Sequence, residues 1–217
     1  MSTERLEAFS DGVIAILITI MVLELTVPNG AHLSDLKDVW PVFLSYVLSF
    51  VNLAIYWNNH HHMFYVTERV SGGVLWANMH LLFWLSLVPF TTAWMGENRF
   101  APTPTAVYGV DLLMAGTAYY ILQQAIVHAQ GRDSLLARAL GRDWKGKASP
   151  LLYTAAIPMA FVQPWVSYGL YVLVAAIWLV PDRRIERAVT EGEAPAAGAG
   201  QAARREGLAA RGRRPGD

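Results

Sequence analysis

The chain of 217 residues is 54% hydrophobic and 16% charged, and 17 Lys and Arg balance 17 Asp and Glu. Globular domains carry about 25% charged residues, so this chain has too few to cover a water-facing surface, which argues against a soluble enzyme. With no cysteine, disulfides, thiolate metal sites and cysteine nucleophiles are out of reach.

The first apolar block, Ala8 to Val27, carries only Asp11 and Glu24 as charges, one near each end, and Pro28, Asn29 and Gly30 stop it. At about 1.5 Å per residue it matches the ~30 Å hydrocarbon core of a bilayer. A cleaved signal peptide fits poorly, because the basic region is a lone Arg5 between Glu4 and Glu7. The second block, Trp40 to Trp57, opens with Pro41 at a first helical position and runs through Asn58, Asn59, His60, His61 and His62, with a helix end expected near Tyr65. Val74 to Met95 is the third, with Pro89 inside, as membrane helices tolerate. Pro102 and Pro104 mark a loop before the fourth, Ala106 to Val127, which carries Asp111. A basic stretch, Arg132 to Lys147, follows. Leu151 to Leu179 is too long for one span and contains Gln163-Pro164, so two short helices are expected.

Charge distribution tests that choice, since Lys and Arg accumulate on cytoplasmic loops. With six helices and the N-terminus inside, all basic residues except Lys37 and Arg99 fall on the inner side. Five helices would place the arginine-rich C-terminal tail outside. The expected fold is therefore an all-α integral membrane protein with six transmembrane helices over residues 1–181. Residues 182–217 read as a cytoplasmic tail too rich in Ala, Gly and Arg to order itself. Nothing there resembles a nucleic-acid-binding motif.

Few residues carry chemistry. Asp11 is costly inside a span and needs a partner; composition alone favours a cap at the helix start or an interface position. His60, His61 and His62 invite a metal, yet consecutive helical residues point about 100° apart and cannot converge on one ion. A polar network joining them to Arg5 and Asp11, at the same membrane depth, is the better expectation. His80 and Asp111 could relay protons in a transporter or make interhelical hydrogen bonds.

The run Arg5-Leu6-Glu7-Ala8-Phe9-Ser10-Asp11-Gly12-Val13, continuing through Ile16, Thr19 and Leu23 to Glu24, resembles the first helix of the transmembrane protein 175 family of potassium channels. Trp57 followed by Asn59-His60-His61 and Phe64, and Asn78 followed by Pro89-Phe90-Thr91-Thr92-Ala93, resemble two further family segments in the same order. The likeness covers roughly the first hundred residues at motif level.

The resemblance implies a potassium-permeable channel rather than an enzyme, with the first helix lining a central pore. Ile16, Ile20 and Leu23 match the family's hydrophobic constriction and Thr19 its pore-facing, selectivity-setting threonine. These four share a helix face, and aliphatic rings can close a pore by dewetting. Uniform apolarity from Val13 to Leu23 hides that stripe from periodicity alone. Asp11, about 140° away from Ile16 around the helix, is expected to brace neighbouring helices. Arg5, Phe9, Ser10, Asp11, His60 and His61 resemble the family's inner-side structural network. The motif occurs once in this chain, so a homotetramer is implied, in a prokaryotic plasma membrane with both termini cytoplasmic. Potassium is the permeant ion, selectivity over sodium is modest, and no cofactor or metal is called for. A proton-coupled transporter using buried Asp and His is the competing expectation.

Overall fold

In a computed structural model, which describes residues 2–131, 134, 136 and 144–179, six α-helices appear among the described residues. They are α1 (Thr3–Leu23), α2 (Trp40–Tyr65), α3 (Gly72–Glu97), α4 (Pro102–Gln130), α5 (Trp144–Met159) and α6 (Pro164–Leu179), with a short 3-10 turn over Leu33–Lys37 before α2. Helices α1 to α4 are each long and apolar enough to cross a membrane, whereas α5 and α6 are 16 residues apiece. The basic stretch from Arg132 lies mostly outside the described residues, and the 182–217 tail wholly so.

The expected break near Gln163-Pro164 is present. Helix α5 ends at Met159, and Ser167 of α6 donates its hydroxyl to the Ala156 carbonyl at 2.7 Å. The same carbonyl also accepts from the Ala160 N–H at 3.1 Å, so the Ser167 bond adds a tie from α6 to the last turn of α5. Helix α1, by contrast, is displaced toward the N-terminus relative to Ala8–Val27. It starts at Thr3, with Glu4 in its first turn favouring the helix dipole. It ends at Leu23, before Val27, which Pro28 keeps out of the helical region. Asp11 accordingly sits in the third turn, and the expectation that it caps the helix start does not hold.

Two apolar clusters organise the bundle. One joins α1, α2, α3 and the second half of α4 through Ile14, Leu53, Phe64, Leu81, Leu85 and Leu122. The other joins α2, α4, α5 and α6 through Leu48, Tyr108, Leu112, Tyr153 and Tyr171. Between them runs a polar seam. Ser49 of α2 bonds Thr92 of α3 at 2.6 Å and Tyr108 of α4 at 2.9 Å, and Thr91 donates to Asp111 Oδ2 at 2.9 Å. Such interhelical bonds hold membrane helices together where apolar contacts alone give no preference over lipid. Small residues bring backbones close: a Cβ on Gly96 of α3 would lie 2.8 Å from the Val42 Cα of α2.

A helix with an open face and a pinned end

Helix α1 has two faces. Leu6, Ser10, Ile14, Leu17 and Met21 are buried, at spacings of three and four residues, against α2 and α3. The opposite face carries Ile16, Ile20 and Leu23, which are 57%, 40% and 78% exposed, with Gly12, Ala15 and Thr19 also exposed. Ile20 in addition lines an open groove with Pro89, Phe90 and Trp94 of α3. The protomer thus leaves an aliphatic stripe uncovered on its first helix. The Thr19 hydroxyl donates to the Ile16 carbonyl at 2.8 Å. Its single hydrogen is thereby turned back onto the helix, and the oxygen lone pairs remain available to a cation.

The N-terminal half of α1 is fastened by polar contacts. Glu7 Oε1 meets His61 Nδ1 at 2.8 Å, and Asp11 Oδ1 accepts from Trp57 Nε1 at 3.0 Å. Glu7 and Asp11 are four residues apart on α1, as are Trp57 and His61 on α2, so the two contacts form successive rungs between parallel faces. The Trp57 and His61 rings stack at 6.0 Å, keeping the α2 side of this ladder in register.

A buried chain lies beside the ladder. His60 Nε2 is 2.8 Å from Asn78 Oδ1, Asn78 Nδ2 donates to Ser10 Oγ at 2.9 Å, and Ser10 donates to the Leu6 carbonyl at 2.9 Å. An amide oxygen only accepts, so the His60 tautomer that completes the chain carries its proton on Nε2. The chain crosses α2, α3 and α1 in turn, and His60 is fixed from its other side by stacking on Phe64 at 4.4 Å.

Of the residues expected in the inner network, Ser10 and His60 meet through Asn78, while Asp11 and His61 each hold a separate rung. Arg5 and Phe9 stand apart: both are exposed, on the same side of α1 as Ile16. At 100° per residue they lie within about 20° of Ile16, so the helix turns them away from α2. Glu7, Trp57 and Asn78 carry contacts that residue type and order alone do not assign. The i,i+4 spacing of Glu7 with Asp11 and of Trp57 with His61 was the available signal. His80 accepts from Trp84 Nε1 within α3 at 3.0 Å, and Asp111 bonds Thr91, so these two occupy separate contacts.

Asn78 serves both neighbours at once. Asn78→Leu is expected to leave the buried His60 Nε2 unpaired, at about 1–3 kcal/mol, while Ser10 keeps its bond to the Leu6 carbonyl, and to lower the melting temperature in detergent. A melt unchanged from the wild type would show that the chain contributes nothing to stability.

A family model described as the endosomal/lysosomal potassium channel TMEM175 matches residues 5–89. A potassium channel of Chryseobacterium is 49% identical over 191 residues, covering 88% of this chain and 100% of that protein. A potassium channel of Chamaesiphon minutus is 33% identical over 189 residues, covering 80% and 91%. The crystal structure of a lysosomal potassium-selective channel TMEM175 homolog from Chamaesiphon minutus superposes with a TM-score of 0.72 at 30% identity, over 83% of this chain and 97% of that one.

Proposed function

The chain belongs to the TMEM175 family of potassium channels, and from that premise we propose that it is a passive, potassium-permeable channel whose pore is enclosed by first helices from several copies. Its relatives are named as potassium channels across nearly their whole lengths, which supports passive conduction over proton-coupled transport. The family consists of ion channels, not enzymes, and the chain is a multi-pass membrane protein.

The uncovered stripe of Ile16, Thr19, Ile20 and Leu23 carries the finer reading. Contiguous apolar surface adjoining a groove marks a place where another chain or lipid sits. One α1 cannot enclose a pore, and closed cyclic assemblies are the usual solution, so four copies arranged about a central axis turn these stripes inward. Ile16, Ile20 and Leu23 then form stacked aliphatic rings that shut the pore by dewetting, and Thr19 offers a ring of hydroxyl oxygens between them. Without the backbone-carbonyl filter of ordinary potassium channels, preference for potassium is modest and rests on Thr19 and on partial dehydration at the isoleucines. Arginine and lysine placement supports cytoplasmic termini, and the bacterial relatives support a prokaryotic plasma membrane.

The direct test uses purified protein in potassium-loaded liposomes. Passive efflux down the gradient is expected without an added ionophore, together with a mass in nanodiscs equal to four chains. Saturable flux that a proton gradient drives uphill would replace the channel with a transporter; a monomer that still conducts would remove the shared pore.

A further inference from the structure

The open face of α1 is flanked by two further exposed stripes. On α2 the stripe is Phe43, Val47, Phe50 and Trp57, with Ala54 half-buried in line; on α3 it is Phe83, Ser86, Phe90 and Glu97. Each keeps the spacing of a single helix face. The two border α1 on opposite sides. Trp57 reaches it at Asp11, whereas Ser86, Phe90 and Glu97 share a groove with Ile20 and Glu24. Around α1, at 100° per residue, Asp11 lies about 140° from Ile16 in one sense and Glu24 about 80° in the other.

The stripes also match in depth. Helices α2 and α3 are antiparallel, and their own contacts level them: Gly96 lies against Val42, Ser49 bonds Thr92, and His60 bonds Asn78. On that scale Phe50 is level with Phe90, Ala54 with Ser86 and Trp57 with Phe83, so large residues face large ones and small face small. Rotation about an axis along the membrane normal moves no residue in depth. In a closed ring with α1 turned inward, the α2 flank of one copy therefore meets the α3 flank of the next at equal levels, a head-to-tail contact that closes when the rotation completes the circle.

Charge agrees with that pairing. Lys37 ends the turn before α2, Glu24 follows α1 and Glu97 ends α3, all at the same end of the bundle. Among the described residues none of the three makes an ion pair. The cation thus stands at the rim of one flank and both carboxylates at the rim of the other, the complementarity that fixes register between partners. We propose that the Phe43–Trp57 face of α2 docks on the α1/α3 groove of a second copy of this chain, with Phe50 against Phe90, Ala54 against Ser86, and Lys37 toward Glu24 and Glu97. This rests on the shared-pore reading and assigns the surfaces that close the ring.

The chain has no cysteine, so pairs of introduced thiols report the contact directly. Full-length protein carrying Phe50→Cys and Phe90→Cys together, oxidised with copper phenanthroline in nanodiscs, is expected to run as covalent species of up to four chains without reductant. Either substitution alone should leave single chains, because unlike flanks meet. Phe50→Cys with Phe83→Cys sets the thiols about 10 Å apart in depth, beyond the reach of a disulfide, and should link at least tenfold less. Ala54→Cys with Ser86→Cys carries the test if loss of an aromatic ring disturbs folding. Lys37→Glu should lower the tetramer fraction about threefold, the scale of one exposed ion pair, and adding Glu97→Lys to the same chain should restore it. Four chains by native mass with no link from either level pair, a link from a single substitution, or both thiols reacting in the intact tetramer with a maleimide confined to the bilayer, which would mean that lipid covers these faces, would overturn the interface and leave the shared pore standing. One chain by native mass would overturn the shared pore, and the interface with it.

Discussion

Ile16→Asn is expected to raise passive potassium efflux from liposomes by about tenfold or more, equivalent to ~1.4 kcal/mol off the conduction barrier. In the proposed tetramer four isoleucines would face one another, and the physical cause lies in what such a ring does to water. A narrow ring of hydrocarbon offers water no hydrogen bonds, the column breaks, and an ion cannot shed its hydration shell into a vapour-like gap. Asparagine brings four carboxamides to the same level, each able to donate and accept, and the column is restored. Ile16 is well suited to the experiment because it is 57% exposed in the protomer and not among the residues packed against α2 and α3, so the substitution should leave the fold alone. Single-channel conductance and liposome efflux both read it. Currents equal to wild type would move the barrier to Ile20 or Leu23, or away from α1.

Thr19→Ala is expected to reduce the preference for potassium over sodium while leaving conduction in place. The Thr19 hydroxyl spends its hydrogen on the Ile16 carbonyl, and a ring of four such oxygens would meet a passing ion with lone pairs. Alanine removes every one of them and shortens the side chain. A threefold loss of preference moves the bi-ionic reversal potential by roughly 30 mV toward zero, at about 59 mV per tenfold. An unmoved reversal potential would mean that discrimination occurs wholly by dehydration at the aliphatic rings.

Helices α1 to α4 were readable from sequence because each is an apolar block of bilayer length, and a membrane helix satisfies its own backbone. The division at Gln163-Pro164 was readable for the same reason. The orientation of α1 was not. Between Val13 and Leu23 nearly every residue is apolar, so Ile14 inside and Ile16 outside differ by packing alone. Just before that stretch the usual rule is reversed, with Ser10 buried and Phe9 half exposed, because Ser10 has Asn78 as a partner and Phe9 has none in its own protomer. The Asn78 contact joins residues 68 and 18 positions apart on three helices. Helical spacing cannot reveal it, since it depends on how α3 is set against the other two. The motif resemblance grouped Arg5 and Phe9 with Ser10, Asp11, His60 and His61, whereas within the protomer α1 directs them to the opposite side.

The unequal fastening of α1 makes it a lever. Its N-terminal half is tied at Glu7, Ser10 and Asp11, whereas no side-chain hydrogen bond to another described helix holds it from Thr19 to Leu23. With Ser10 as the pivot and ~1.5 Å of rise per residue, Ile16 sits about 9 Å along the arm and Leu23 about 20 Å. A tilt of about 6° swings the tip by ~2 Å and Ile16 by only ~1 Å, by the same helical rise. In the proposed tetramer, widening by tilt would start at Leu23 and reach Ile16 last, which would make the ring nearest the fulcrum the one that decides whether the pore is open.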